Sequence, residues 1–364
     1  MTVPGSVHVL GMTRGQLEGW IAARGAKPFH ARQMMKWIYR RGVDEFDAMT
    51  DLSKDLRTDL NQSASIALPQ VLKESISTDG TRKWLLAVEG GQAIETVFIP
   101  ETDRGTLCVS SQVGCVLDCS FCATGAQGYN RNLSTAEIIG QLLLAQRALG
   151  STESERPVSN VVFMGMGEPL ANYRAVVPAM QLMLDSYGFE LSRRRITLST
   201  SGLVPQIRRL KNDCNVALAV SLHAPDDELR DQLVPINRRH PIADLLEACW
   251  DYADSNGRYV TFEYVMLEGV NDSPALARGL AKLLRGRPAK VNLIPFNPYP
   301  GGRYKRSSSA TIYEFQSILH RQGLRTMTRR PRGDDIAAAC GQLAGQVDNL
   351  VTSPLHAKSA GGRS

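Results

Sequence analysis

Fifteen residues, Cys108 to Cys122, hold the densest chemistry in the chain: Cys-Val-Ser-Ser-Gln-Val-Gly-Cys-Val-Leu-Asp-Cys-Ser-Phe-Cys. Three of these cysteines, Cys115, Cys119 and Cys122, follow the spacing C-x3-C-x2-C, with a β-branched run before them and Gly125 and Gly128 after. Thiolates this close on one loop can converge on a metal centre, because the loop need only curl around it. Iron–sulfur clusters are held by cysteine in this manner. No fourth cysteine follows until Cys214, so three ligands would leave one iron open to a group that is not protein. Zinc is the competing occupant, but it requires a fourth ligand and no histidine lies within eighty residues of the loop. A disulfide set is disfavoured by the odd count of seven cysteines and by the lack of a secretory segment.

The elements that must position this loop alternate. Strand-like runs at 106–110, 160–164, 195–199, 216–222, 260–266 and 291–295 are each followed by helical periodicity, at 134–149, 173–187, 203–210, 242–255, 274–284 and 310–322. Six βα units in succession require a parallel sheet. Curled, it becomes a partial (β/α)6 barrel with its ligands at the C-terminal strand ends. The unusual residues fall there. The cysteine loop follows the first strand, Gly165-Met-Gly167-Glu168-Pro the second and Ser199-Thr-Ser-Gly the third. Ser221-Leu222-His223-Ala-Pro follows the fourth, and Pro295-Phe-Asn297-Pro the sixth. A dinucleotide-binding reading of Gly165-Met-Gly167 fails, because the third glycine is missing. A glycine-rich strand end instead brings backbone close to a small ligand. Glu168 can neutralise a ligand cation, and the hydroxyls of Ser199 and Ser221 can bind a carboxylate or a ribose. Taken singly, each reads first as a turn or cap residue, and His223 as a satisfied structural histidine.

Ahead of the barrel, residues 13–63 read as short helices. Thr13 caps the first, the second runs from Phe29 to Arg41 with Arg32, Lys36, Arg40 and Arg41 outward, and Ser53 begins the third. At 70–100, alternation around Gly90-Gly91 predicts a β-hairpin, with Glu95 an edge carboxylate on its return strand. After Arg332, Cys340 lies between alanine and glycine. That leaves it open to a bulky substrate, as a nucleophile must be, although a small core residue fits equally. Cys214 and Cys249 read as inert core thiols, and the residues after Ser353 as an unstructured polar tail. The expected division is a helical module (1–65), a hairpin extension (66–104), the partial barrel (105–332) and a C-terminal segment (333–364).

At 364 residues, 43% apolar and 21% charged, the composition is that of a soluble globular protein. No window approaches eighteen uninterrupted apolar residues, so no membrane helix is expected. Free thiols and an oxygen-sensitive cluster favour the cytoplasm. The net charge of +6 is uneven: eleven Lys and Arg between Arg285 and Arg332 face one acid, Glu314, which leaves −4 for the rest of the chain. Such a block suits a polyanion partner, although a solvated basic face is the usual alternative. Tyr299, Tyr304 and Tyr313 interleave with it, and aromatics stack on unpaired bases. No apolar heptad seam advertises an interface, so a monomer is expected.

Four stretches now carry a resemblance. Leu-Cys-Val-Ser-Ser-Gln-Val-Gly-Cys, Gly-Met-Gly-Glu-Pro, Ser-Leu-His-Ala-Pro and Arg-Gly-Asp-Asp-Ile-Ala-Ala-Ala-Cys-Gly-Gln-Leu-Ala-Gly resemble the bacterial RlmN-type dual-specificity RNA methyltransferases, which are radical S-adenosylmethionine (SAM) enzymes. The likeness runs from the N-terminal helices to about residue 350 with no departure at a motif position. It implies a radical-SAM partial barrel and a 4Fe–4S cluster on Cys115, Cys119 and Cys122. It implies SAM contacts at Gly167, Glu168, Ser199, Ser221, Leu222, His223 and Asn297. The implied substrates are one adenosine of 23S rRNA and the adenosine beside the anticodon of certain tRNAs, methylated at C2.

By the same resemblance, Cys340 takes a methyl from one SAM, and cleavage of a second SAM yields the radical that activates it. Glu95 removes the C2 proton, and Cys108 frees the product by forming a disulfide with Cys340. Two SAM are consumed per methylation, and an electron donor such as flavodoxin feeds the cluster. The N-terminal helices and the basic block would grip folded RNA while the target base is extruded. A sister family acting at C8 shares the cluster and the cysteine pair, and the fragments above are closer to the C2 family.

Overall fold

The chain lays its main strands side by side in the order in which it encodes them. The computed structural model describes residues 7–348 apart from residue 153, and ten of its strands form one sheet. Three come first and are antiparallel: Val71–Ile76, Arg82–Val88 and Gln92–Glu101. Seven parallel strands follow: Arg104–Cys108, Asn160–Phe163, Ile196–Thr200, Ala217–Ser221, Val260–Met266, Ala289–Pro295 and Arg325–Thr328. Each parallel crossover carries a helix: Thr135–Ala148, Tyr173–Leu184, Val204–Asp213, Ile242–Asn256, Pro274–Leu284 and Ser309–Arg321. A parallel pair needs such a crossover, and the helices cover the sheet's outer face. Along Ala289–Pro295, Val291 and Leu293 are buried in the core while Asn292 and Ile294 are half-buried, so alternate residues face a lumen that stays partly open.

The expected α/β partial barrel is present, with two differences of detail. The hairpin is not set apart from the barrel: Gln92–Glu101 pairs antiparallel with Arg104–Cys108, placing Val97 opposite Cys108, and Val71–Ile76 adds an outer strand. A seventh parallel strand, Arg325–Thr328, follows the six expected ones. Its sequence, Arg-Thr-Met-Thr, is too short and polar to stand out by periodicity.

The N-terminal helices are Arg14–Ala22, Pro28–Met35 and Lys54–Ser63, with Ser53 capping the last through Leu56 N–H. A short parallel pair, Val7–His8 with Ala64–Ser65, closes the module. Its basic edge is only partly free. Arg14, Arg32 and Lys36 stand 5.4–5.9 Å from the Tyr187 ring, and Arg40 bonds Ser186 O and the Glu190 carboxylate. Cations that looked solvent-directed therefore hold the module against the barrel. The polar tail after Ser353 lies outside the described residues. No helix among the described residues is long and apolar enough to cross a membrane.

Candidate active site

The cysteine loop is built by two short antiparallel strands, Gln112–Gly114 and Tyr129–Asn132. Gly114 adopts φ 75°, and a Cβ there would stand 2.1 Å from Gly128 O. That carbonyl accepts from Cys115 N–H at 2.8 Å, which starts the loop. Cys122 N–H reaches Cys119 O, and Cys122 then opens the short helix Ala123–Ala126. Leu117, Leu233, Val234, Val265 and Phe296 form an apolar shell with Cys115, Cys119 and Phe121 packed against it. Burial, reinforced by the neighbouring sulfurs, pushes the Cys115 thiol far up and the Cys119 thiol to about 12. Thiols buried like these two ionise together only if a cationic centre compensates them. Among the described residues no three metal-ligating side chains converge on a single ion. A lone zinc would need four ligands within about 2.3 Å, whereas a polynuclear cluster lets each thiolate bond its own iron. The donor set fits the cluster.

Beside this loop the C-terminal strand ends line a cavity that opens to solvent, with about 790 Å³ of space counted to its open mouth. Cys122, Gly167, Glu168, Ser199, Ser221, His223, Asn297 and Cys340 all line it. Residues from six strand ends meeting in one cavity require the sheet to be curled. Gly167 has φ 98° and its Cα faces Gln112, where a Cβ would stand 2.5 Å from that side chain; only glycine fits. Glu168 is buried and accepts from Leu170 N–H at 3.0 Å and Ser201 N–H at 2.7 Å. Burial nevertheless raises its pKa. His223 is held at φ 62°, an uncommon conformation for a non-glycine residue. Its Nδ1 accepts from Val265 N–H at 3.0 Å, and burial, aided by Arg230, pushes it down to about 3. The ring is neutral, so its one proton sits on Nε2 and makes that nitrogen a donor. Phe121, the aromatic ahead of the third cysteine, packs edge-on against it at 4.6 Å.

Five assigned positions do not line the cavity: Cys115 and Cys119 in the loop, Cys108, Leu222 and Glu95. Leu222 is fully buried, and its carbonyl accepts from Arg230 Nε instead. Glu95 sits behind the C-terminal segment, bonded to Lys83 Nζ and Ala344 N–H at 2.8 Å each. Cys108 ends the first barrel strand, buried. Burial and then the nearby Cys340 sulfur push its thiol up to about 12. Cys340 lies across the cavity mouth, with its carbonyl bonded by Asn297 and its sulfur 3.5 Å from Arg329 Nη1. All seven cysteines are free, so the anticipated Cys108–Cys340 disulfide is not a standing bond here. Tyr299 and Tyr304 pack on Phe296 beside the cysteine loop, and Tyr304 bonds Ser120 at 2.9 Å. Of the interleaved tyrosines only Tyr313, 72% exposed, is free to stack.

Three residues had no signal in the sequence for their place in or beside the cavity: Glu263 and Arg329 line it and Arg230 lies behind it. Arg230 is completely buried and donates to Ser201 O, Ser221 O and Leu222 O, tying two strand ends together; burial pushes it down to about 10. Glu263 receives one bond from Asn292, leaves its other oxygen buried without a partner, and is raised by burial. Arg329 is the one arginine or lysine among the described residues that lines the cavity. Each looks like an ordinary surface charge within a helix or strand pattern.

Residues 7–66 match the ribosomal RNA large subunit methyltransferase N-terminal domain, and residues 109–277 match the radical SAM superfamily. A dual-specificity RNA methyltransferase RlmN from Francisella tularensis is 55% identical over 346 residues, covering 94% of this chain and 93% of the relative. The crystal structure of a radical SAM methyltransferase from Sphaerobacter thermophilus superimposes with a TM-score of 0.87 at 47% identity, over 93% of this chain and 99% of that one. With a cluster-fitting cysteine loop, an open cavity at the strand ends and these relatives, the chain belongs to the RlmN family of radical SAM RNA methyltransferases.

Proposed function

We propose that the protein methylates adenine C2 in one 23S rRNA adenosine and in the anticodon-adjacent adenosine of a subset of tRNAs, through a methylated Cys340. Adenine C2 is electron-poor and offers no carbanion to attack a methyl cation equivalent, so a polar transfer fails and a radical route is needed. When bound, the cluster on Cys115, Cys119 and Cys122 and SAM supply that radical chemistry. The observation that carries the reading is the meeting of two distant cysteine sets at one cavity: Cys122 and Cys340 both line it, and Cys108 stands near enough to Cys340 to perturb its own ionisation.

The chain's residues then have these tasks. Cys340, beside the guanidinium of Arg329, accepts the methyl as a thiolate and later carries the methylene that bonds C2. Glu168 and the Nε2–H of His223 orient SAM by its polar groups, with Gly167, Ser199, Ser221, Asn297 and the backbone of Leu222 completing the contact. Glu95 takes the C2 proton, which requires the segment at Ala344 to shift, since that N–H now occupies one of its oxygens. Cys108 as thiolate attacks the Cys340 sulfur, the S–C bond breaks with its electron pair going to the product carbon, that carbon takes a proton to become the methyl, and the resulting disulfide is reduced by external thiols. An electron donor such as flavodoxin, two SAM per turnover, a monomeric state and a cytoplasmic setting complete the proposal, with residues 1–65 as the accessory RNA module.

Cys108→Ala, purified anaerobically from cells, tests it. The expected result is RNA covalently attached at Cys340 through an adenine carbon, released by nuclease and absent when Cys340→Ala is added. A cluster-loaded variant that carries no adduct would overturn the cysteine-carrier mechanism.

A further inference from the structure

The basic residues that lie together in sequence divide in space. Arg303, Lys305, Arg306, Arg329, Arg330 and Arg332 follow the C-terminal ends of their strands and lie at the cavity end of the sheet. Arg285, Arg287, Lys290 and Arg325 lie at the opposite end, where the strands Ala289–Pro295 and Arg325–Thr328 begin, and Arg321 closes the helix that descends to it. Arg193 and Arg194 precede Ile196–Thr200, and Arg258 precedes Val260–Met266. They join the same end because these strands are parallel. A seven-residue strand such as Ala289–Pro295, at about 3.3 Å per residue, sets the two ends roughly 20 Å apart.

The two ends differ in how their charge is balanced. At the cavity end, Arg306 pairs with Asp334 and Arg332 with Asp79. At the far end, among the described residues, no carboxylate stands within ion-pair distance of Arg193, Arg194, Arg258, Arg285, Arg287, Lys290, Arg321 or Arg325. Asp251 and Asp254, exposed near the end of the helix Ile242–Asn256, pair with none of them, and Glu190, three residues before Arg193, pairs with Arg40 instead. Two aromatics stand among the cations. Tyr259 is 45% exposed, with Lys290 Nζ at 5.4 Å and Arg325 at 5.1 Å from its ring. Arg287 lies 5.7 Å from Trp250. A group of cations held together without counter-charges repels itself, and an external polyanion relieves that repulsion by releasing its own counterions.

We propose that this end of the barrel binds the phosphate backbone of the RNA substrate at a point remote from the methylated nucleotide. The inference rests on the RNA-methyltransferase reading above. It explains why the cations recur at the starts of four of the parallel strands, three of them adjacent in the sheet, where they serve no residue of the cavity. The far end is then a second contact for large folded RNA, and the cavity end alone handles the target loop.

The test is the triple variant Arg285→Glu, Arg287→Glu, Arg325→Glu, with the milder Arg→Gln triple as a control for folding. Binding of a 23S rRNA fragment and of a tRNA transcript is measured across a salt series, alongside turnover of a short stem-loop holding only the target adenosine. The expected result is at least a tenfold loss of affinity for the large RNAs and a log–log salt slope shallower by about two to three, one per lost phosphate contact. Iron content, SAM binding and stem-loop turnover should match the wild type. The Gln triple should fall between the two. Equal affinity and equal salt slope in variant and wild type would overturn this inference alone. A wild type that binds neither RNA would overturn the functional reading and this inference with it.

Discussion

The two cysteine-bearing segments that meet at the cavity are held by opposite means. The cluster loop is fastened chiefly within itself: its strand pair, the Cys115 N–H to Gly128 O bond and the Cys122 N–H to Cys119 O bond all close inside residues 112–132, while Ser120 reaches Leu233 and Tyr304 of the barrel. The segment from Gly333 to Asp348 is fastened to distant parts of the chain. Asp335 is bonded by Ser77 and Thr78, the Ala337 carbonyl by Lys83, and Ala344 N–H reaches Glu95. Gln346 bridges Ala93, while Gly341 and Leu343 are bonded by Ala123 and Thr124. Local bonds form as soon as the loop folds, whereas these bonds exist only once the antiparallel strands and the cluster helix are both in place. The site therefore joins a self-supported cysteine loop to a C-terminal arm bearing Cys340, whose local opening is the easier of the two.

Two glycines allow the comparison to be broken one side at a time. A Cβ at Gly114 would stand 2.1 Å from Gly128 O, and one at Gly345 would stand 2.1 Å from Ala93 O. The intrusion is the same and the consequences should not be. Gly114→Ala, strained further by its φ of 75°, should lose its iron and visible absorbance and show no turnover, as measured by iron assay and spectroscopy after anaerobic reconstitution. Gly345→Ala should keep its cluster. Overpacking of about 1–3 kcal/mol falls on the arm alone, making the detached state roughly five- to 150-fold more populated, with methyl loading of Cys340 reduced to match. A Gly345→Ala protein that loses iron as readily as Gly114→Ala would show that the arm is part of what holds the cysteine loop.

The same division governs what could be read before the fold was known. The cysteine loop was legible because its three cysteines lie within eight residues, close enough for spacing alone to imply convergence. The strand-end motifs were legible because a parallel sheet brings all its C-terminal ends to one side. Cys108, Glu95 and Cys340 were not, since their meeting depends on pairings that span more than two hundred residues, such as Glu95 with Ala344. Only the family resemblance joined them in one mechanism. Arg230 and Glu263 stayed hidden because burial, which gives both their chemical character, leaves no trace in a local pattern. The basic block misled in the opposite sense: adjacency in sequence suggested one surface, and a strand's length separated it into two.

Acid should act on the arm through two carboxylates at its root. Asp79 receives Gly333 N–H at 3.2 Å and Thr81 N–H at 2.9 Å. Burial works against its charge, but hydrogen bonds from Thr81, Gly333 and Ser77 outweigh it and hold the carboxyl at about 2. Asp335 is likewise lowered, foremost by the Ser77 hydroxyl. For a group depressed in the docked state, the contribution to docking is complete above the ordinary carboxylate value of about 4 and fades as pH falls through the docked value. Release of the arm should thus begin below about pH 4 and approach completion near 2, seen as faster pepsin cleavage around Leu343 while circular dichroism still reports the folded barrel. Asp79→Asn removes the charge at every pH, so chymotrypsin should cut there several-fold faster at pH 7 in that variant, without loss of iron. Cleavage at the wild-type rate would mean that the arm's long-range backbone bonds suffice without this carboxylate, and that the root of the arm is as self-supporting as the cysteine loop.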